Sequence, residues 1–388
     1  MQGVSNVQKT ANAVIIGGGM IGCSLAYELA LRGMKDIVVV EKEYLCSGAT
    51  GRCGAGVRQQ WGTETNAILA RDSVKRFEQM NEELEYDMDI EFKQGGYLIV
   101  AYTEGEWTQF HKNVAVQKSL DIPVEMVTPE GAREIVPHLN IDGLFGATFC
   151  QTDGHANPFH VVDAYAKAAR RLGVVFETYT EVTGIVAENG KVKTVETTRG
   201  NIDAPLVINA ANYAAGKVCK MVDFDLPLYP QRHQALVTEP VEPTQGPMVI
   251  SFSRRLYCQQ TPHGSFIMGV GDPHEPKDFN INSSWDFLED VSRQVLSVLP
   301  LLKNLRVVRQ WSGLYDMSPD ANPILDEVPD VQGMWVLAGF SGHGFMVGPQ
   351  TSVLVAQKIM GEKCFMPIEK FGLDRFRRGE LLLEPSVV

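Results

Sequence analysis

The chain has 388 residues, with 47 acidic against 35 basic side chains and a formal net charge of −12, a balance that excludes the basic face a nucleic-acid partner would require. Its 44% hydrophobic and 21% charged content is that of an ordinary globular protein, and its length suits two interleaved domains or one large one. No run approaches the roughly 18 consecutive apolar residues of a membrane span, and the polar stretch from Met1 to Thr10 does not read as a signal peptide.

Residues 13–16 form an apolar run of strand type that enters Gly17-Gly18-Gly19-Met20-Ile21-Gly22, and a helical pattern leaves it. The spacing Gly17-x-Gly19-x-x-Gly22 is a dinucleotide fingerprint. Gly17 allows the tight turn, Gly19 lets backbone reach a pyrophosphate, and Gly22 lets helix and strand pack closely. The phosphates then sit on the amides and positive end of the helix, with Met20 and Ile21 in its first turn. A second strand, residues 36–40, ends at Glu41, where a carboxylate accepts hydrogen bonds from the adenosine ribose and repels a 2′-phosphate. The loop 46–61 follows, holding Gly48, Gly51, Gly54 and Gly56 with Arg52 and Arg58 among them. Such a loop lets backbone approach a flat or anionic ligand; a mobile surface loop with solvated arginines fits the same composition.

A helix is expected over 65–87, then a strand at 95–101, a helix over 104–119, a short helix over 129–136 and a strand over 143–150. This is no βαβ alternation, so it reads as an inserted sheet carrying the substrate side. Asp153 to Pro158 form a turn before a helix over 159–172. Strands follow at 174–178 and 181–186, and Asn189-Gly190 marks a hairpin tip whose returning strand ends at Gly200. The buried strand 206–211 brings the chain back to the nucleotide-binding part, and a helix starts at Asn212. Residues 229–238, 256–260 and 266–271 continue the substrate sheet, and 285–299 is a helix. The strand 334–338 runs into a second glycine-rich turn, 339–349, and a helix is expected from about 350 to 360. The fold class is therefore α/β (α+β): a discontinuous Rossmann-type domain with a mixed-sheet domain. The expected division is 11–90, 151–222 and 311–388 for the cofactor, the last with the C-terminal tail, and 91–150 and 223–310 for the substrate. Cys23, Cys46, Cys53, Cys150, Cys219, Cys258 and Cys364 form no CxxC pair and no metal-ligand cluster, as in reduced thiols of a cytoplasmic protein.

Two features favour a flavin over a nicotinamide. The strand–turn signals of the fingerprint domain return at Val207 and at Trp335, and two further glycine-rich loops accompany them. At this point a resemblance is clear. The Gly17–Gly22 fingerprint with Glu41-Lys42, the run Ser47-Gly48-Ala49-Thr50-Gly51-Arg52-Cys53-Gly54-Ala55-Gly56-Val57-Arg58, Asp153-Gly154, Glu181-Val182-Thr183-Gly184, the strand at 207–211, Pro230-Gln231-Arg232-His233-Gln234, Pro319-Asp320 and Gly339-Phe340-Ser341-Gly342-His343-Gly344-Phe345 resemble the D-amino-acid oxidase family of FAD proteins. Within it the chain is nearest to sarcosine oxidase β subunits, glycine oxidase and the β subunit of dye-linked L-proline dehydrogenase.

The resemblance implies a non-covalent FAD. Gly17, Gly19, Met20, Ile21 and Gly22 hold its pyrophosphate, with Ala210 and Ala211 beside the turn, and Glu41 with Lys42 holds the ribose. Val182 offers backbone to the adenine. Ser47, Thr50, Arg52, Ala55, Gly56 and Gly313 border the flavin, and Gly342, His343, Gly344, Phe345 and Met346 complete the ring pocket. This chain also departs from the family. Asn212 stands where glycine is usual. Gly313 occupies the slot of a flavin-tethering cysteine. Met346 replaces a lysine associated with oxygen reactivity, which points towards a dehydrogenase. Pro158 falls where a histidine carries a second flavin, FMN, at a subunit interface; His155 and His160 lie nearby, and that FMN stays an open alternative.

Oxidation of an amino acid at Cα–N needs the α-hydrogen aimed at flavin N5 and the carboxylate anchored. Hydride leaves, an imine forms and water hydrolyses it. An arginine fork suits the anchor, and Arg58 is the first candidate, with Tyr257, Tyr315 and His343 as further substrate-facing residues. The expected substrate is a small or secondary amino acid: sarcosine, proline, hydroxyproline or glycine. Two alternatives stand beside this enzyme: the catalytic β subunit of a complex that passes electrons to a partner, and a non-catalytic FAD-bearing scaffold.

Overall fold

A computed structural model of the chain describes residues 7–386. Its first sheet has six strands in the order Ile324–Glu327, Met334–Ala338, Val207–Asn209, Ala13–Ile16, Ile37–Val40, Val175–Glu177. All neighbours run parallel except the first pair. The central strands Ala13–Ile16 and Ile37–Val40 are buried at every position, because a parallel sheet is covered on both faces and its strands read as continuous apolar runs. Side chains alternate across it. Ala13, Ile15 and Val39 join the core under the helices Met20–Leu31, Pro158–Arg171 and Gly344–Ile359. Val14, Ile16 and Val38 meet Ile185, Val195 and Ile202 on the opposite face, which belong to the antiparallel sheet Val182–Glu188, Lys191–Thr197, Gly200–Asp203.

The second large sheet has eight strands, in the order Val307–Met317, Tyr229–Thr238, Phe266–Val270, Leu256–Gln260, Met248–Ser251, Tyr97–Ala101, Gly146–Cys150, Val124–Val127. Only Met248–Ser251 against Tyr97–Ala101 is parallel. Leu98 and Val100 pack with Phe287, Val291 and Val295 of the helix Trp285–Val298 on one face. Tyr97 and Ile99 pack with Phe110 of the helix Glu104–Ser119 on the other.

Several local expectations need correction. The last long helix starts at Gly344, not near residue 350, and carries Pro349 inside it. A proline there removes one backbone bond, yet burial of Phe345, Val347 and Gly348 holds the turn in place. The strand expected from 143 starts at Gly146, because Gly143 takes φ +73° in a turn. After Thr197 the chain folds back into one more strand, Gly200–Asp203, and the four-residue strands Met248–Ser251 and Ile324–Glu327 are too short to show a period. The boundary expected at 311 falls inside the strand Val307–Met317, which pairs along Tyr229–Thr238, so the chain leaves the eight-stranded sheet only after Met317.

Candidate active site

The first glycine turn is shaped by backbone contact. Gly17 has φ +116°, and a Cβ there would lie 2.5 Å from the Ala210 carbonyl oxygen. A Cβ on Gly22 would run into the Gly17 carbonyl oxygen. Ala210 N–H donates to the Ile16 carbonyl at 2.9 Å, and Ala211 N–H to Asn209 Oδ1 at 3.2 Å, fixing the neighbouring crossing. Around the turn, Gly18 N–H donates to Glu41 Oε2 at 2.8 Å, Ser47 Oγ to Glu41 Oε1 at 3.5 Å, and Met20 N–H to Thr50 Oγ1 at 3.1 Å. Lys42 Nζ lies 5.8 Å from the Tyr213 ring centre. Val182, half-buried, opens the strand Val182–Glu188 beside the second core.

The helix Met20–Leu31 starts at Gly19, with Thr50 Oγ1 accepting from Met20 N–H but no cap from the N-cap residue and no acidic residue in its first turn, and the helix Gly344–Ile359 starts at His343 with neither a cap from its own side chain nor an acidic residue. By contrast, Thr103, Asn157 and Ser284 cap the helices Glu104–Ser119, Pro158–Arg171 and Trp285–Val298. Open amides at a helix start are suited to an anion. The two open starts are neighbours, since a Cβ on Gly348 would lie 2.9 Å from Met20 Cγ. The residues present therefore fit a dinucleotide: amides for a pyrophosphate at one end and a deep cleft at the other.

That cleft lies between the loop Ala49 to Arg58, the eight-stranded sheet and the turn Ser341 to Met346. Arg52, Ala55, Gly56, Arg58, Tyr257, Gly313, Tyr315, Gly342, His343, Phe345 and Met346, all singled out from the sequence, line it together. Gly344 begins the helix directly behind His343. Gly342 takes φ +91°, and a Cβ there would meet the Tyr315 ring.

The two arginines of the loop differ in what holds them. Arg52 donates to the carbonyls of Ser47 at 3.4 Å and Ser312 at 3.1 Å, and its own carbonyl accepts from Trp311 Nε1 at 2.8 Å, so it braces the loop against the sheet. Arg58 is 3% exposed. Its Nη1 donates to the Gln60 carbonyl at 2.6 Å and its Nη2 to the Ser386 carbonyl, while the Trp61 ring centre lies 3.9 Å away. Among the described residues it forms no ion pair; burial pushes its pKa down. Asp153 holds this segment from below, accepting from Gln59 N–H at 2.8 Å and Gln60 Nε2 at 3.0 Å, and burial pushes its carboxyl up to about 6.

Burial pushes the Tyr257 phenol upward, and that of Tyr315 up to about 12. It pushes His343 well below its ordinary value, with the Arg58 charge adding to the effect. His343 meets Trp61 edge-on at 4.4 Å. Asp316 accepts from Gly339 N–H at 2.6 Å and so ties the late turn to the strand that carries Tyr315. The Cys53 thiol is pushed up to about 11 by burial, which keeps it protonated. His155 pairs with Gly56 in a two-residue ladder, and His160 Nδ1 lies 2.6 Å from the Asp89 carbonyl oxygen; neither borders the cleft.

His233 and Tyr97 line the cleft without having been assigned from the sequence, and Trp61 backs it through its contacts with Arg58 and His343. His233 stacks on Tyr315 at 3.7 Å, and burial pushes it down to about 4. Its cross-strand partner is Gly313, which has no side chain to keep the imidazole off Tyr315. The signal was the histidine within Pro230 to Gln234, but only the register shows what lies opposite.

A profile of the DAO family, described as FAD dependent oxidoreductase, matches residues 12–358. The structure is similar to that of L-proline dehydrogenase from P. horikoshii, with a TM-score of 0.91 and 38% identity over 97% of this chain and 100% of that one. Sarcosine oxidase subunit beta of Arthrobacter sp is 31% identical over 384 residues, 97% of this chain and 94% of that protein. Glycine oxidase of Bacillus licheniformis is 28% identical over 380 residues, 96% of this chain and 98% of that protein.

Proposed function

The chain belongs to the DAO family of FAD-dependent oxidoreductases, and from that premise we propose that its cleft oxidises the Cα–N bond of a small or secondary amino acid of the proline, hydroxyproline, sarcosine or glycine type. FAD, when bound, supplies the acceptor for the hydride that leaves the α-carbon. On this reading the segments around the six-stranded sheet hold the cofactor and those of the eight-stranded sheet hold the substrate.

The observation that carries the proposal is Arg58, a cation that is 3% exposed, borders the cleft and has no carboxylate partner among the described residues. A buried charge of this kind calls for an opposite one, and a substrate carboxylate supplies it in the bidentate form an arginine fork favours. Tyr257 and Tyr315 form the walls that exclude water and orient the amine-bearing carbon. His343 and His233 stay neutral, so neither competes with Arg58 for the carboxylate or repels the substrate as a cation.

A second observation favours a dehydrogenase working as the β subunit of a larger assembly. Met346 lines the cleft, and among the described residues no lysine does; the relative from Arthrobacter sp is named as a β subunit. Electrons then leave to a partner or dye instead of oxygen. The test is anaerobic mixing of the yellow protein with L-proline, D-proline, hydroxyproline, sarcosine and glycine. Bleaching of the flavin band by one of them, followed by reoxidation that is fast with an artificial dye and slow with air, is the expected result. A flavin bleached by dithionite but by none of the amino acids makes the chain a scaffold instead.

A further inference from the structure

The stretch 380–386 runs across the start of the helix Glu64–Glu83 and ends its described course behind the cleft. That helix start has no cap from its own Thr63. Instead the Glu384 carboxylate accepts from Gly62 N–H at 2.8 Å, Thr63 N–H at 3.2 Å, Thr63 Oγ1 at 2.7 Å and Asn66 Nδ2 at 3.0 Å. Upstream, Leu382 N–H donates to Asp320 Oδ2 at 3.1 Å and the Leu382 carbonyl accepts from Asn322 Nδ2. Two residues past Glu384 the chain is buried: Ser386 is 1% exposed, and its Oγ accepts from Asn113 Nδ2 at 3.0 Å. The Ser386 carbonyl then accepts from Arg58 Nη2.

A guanidinium is planar, so fixing two of its N–H directions fixes the plane. One direction is set locally by the Gln60 carbonyl, two residues away; the other comes from this strap. Without the strap one buried N–H loses its acceptor, which is costly enough to turn the fork or admit water. We propose that Glu384 is a positioning residue: by pinning the strap to the helix start it holds the Ser386 carbonyl on Arg58, and so sets the affinity of the cleft for its substrate's carboxylate. This rests on the reading of Arg58 as the carboxylate anchor.

The test compares Glu384→Ala, Glu384→Gln, Asn66→Ala and Arg58→Met as FAD-loaded proteins in anaerobic stopped-flow reduction by L-proline and sarcosine. Glu384→Ala is expected to raise the half-saturating substrate concentration about tenfold while the limiting reduction rate stays within about twofold. Glu384→Gln, whose amide oxygen still faces the Gly62 and Thr63 amides, recovers part of the loss. If Glu384→Ala fails to retain flavin, Asn66→Ala, which removes one of the donors to the Glu384 carboxylate, is read in its place with an expected rise of about threefold. A lower thermal midpoint with unchanged half-saturation, in whichever variant is read, overturns the inference. So does a loss that Glu384→Gln leaves untouched. Arg58→Met separates the two levels. If it weakens substrate binding while the strap variants do not, only the strap's role falls; if it leaves binding unchanged, the anchor reading falls and this inference with it.

Discussion

Arg58 lies between two carbonyls and an indole, 3% exposed, and forms no ion pair among the described residues. Removing its charge with Arg58→Met should raise the half-saturating substrate concentration about 100-fold, because a charge-assisted bidentate pair is worth about 3 kcal/mol. Arg58→Lys keeps the charge and loses the fork, so a rise of about tenfold is expected in the same stopped-flow measurement. The pH dependence follows from the neighbouring groups. Burial lowers His233 to about 4, pushes His343 well below its ordinary value, and raises Tyr315 to about 12. A lowered imidazole is neutral at every pH above its pKa, and a raised phenol is neutral below its own. None of the three therefore titrates between pH 7 and 10, and the rising limb of the rate at low substrate belongs to the substrate's amine. That limb should climb about tenfold per pH unit below the amine's pKa and stay where it is in His343→Gln. A limb that moves with this substitution would make His343 the base.

Among the elements, the two open helix starts matter most, and they were unequally legible. The first is a strand–turn–helix motif in which Gly17 takes φ +116° and Gly22 packs on the Gly17 carbonyl, so its spacing alone predicts the strand, turn and helix. Gly22→Ala should give protein that purifies without its yellow colour, since a Cβ meets the Gly17 carbonyl and forces helix and strand apart; flavin absorbance per chain measures it. The second start was read six residues late. Pro349 signals a helix boundary locally, and only burial of the first turn against Met20 and Phe77 overrides it. Asn212 takes φ +51°. Asparagine tolerates this region. Asn212→Gly should thus leave the thermal midpoint almost unchanged, whereas Asn212→Val should cost about 1–2 kcal/mol in denaturant unfolding.

At the scale of the whole molecule, the C-terminal part is tied down by charge as well as by apolar contact. Arg375 and Asp320, 2% and 3% exposed, pair at 2.8 Å and 3.0 Å, and Arg375 also donates to the carbonyls of Phe371 and Asn322. Arg375→Met should destabilise the holoprotein by about 3–5 kcal/mol, because it leaves a buried carboxylate without its cation; thermal unfolding with flavin release as the signal reads it. Among the described residues no helix is long and apolar enough to cross a membrane, and no group of acidic, histidine and cysteine side chains could hold a metal ion. The amino-acid sequence by itself determined the dinucleotide turn, the acidic residue after the second strand and the α/β class. Those features depend on backbone angles, periodicity and close approach within short segments, which residue types report directly. Only the tertiary structure decided that Arg58 is buried without an ion pair among the described residues, that His233 lies over Tyr315, and that Arg58 is held by a carbonyl 328 residues further along the chain. Burial and long loop closure create those relations, and neither leaves a mark on the local pattern of either segment.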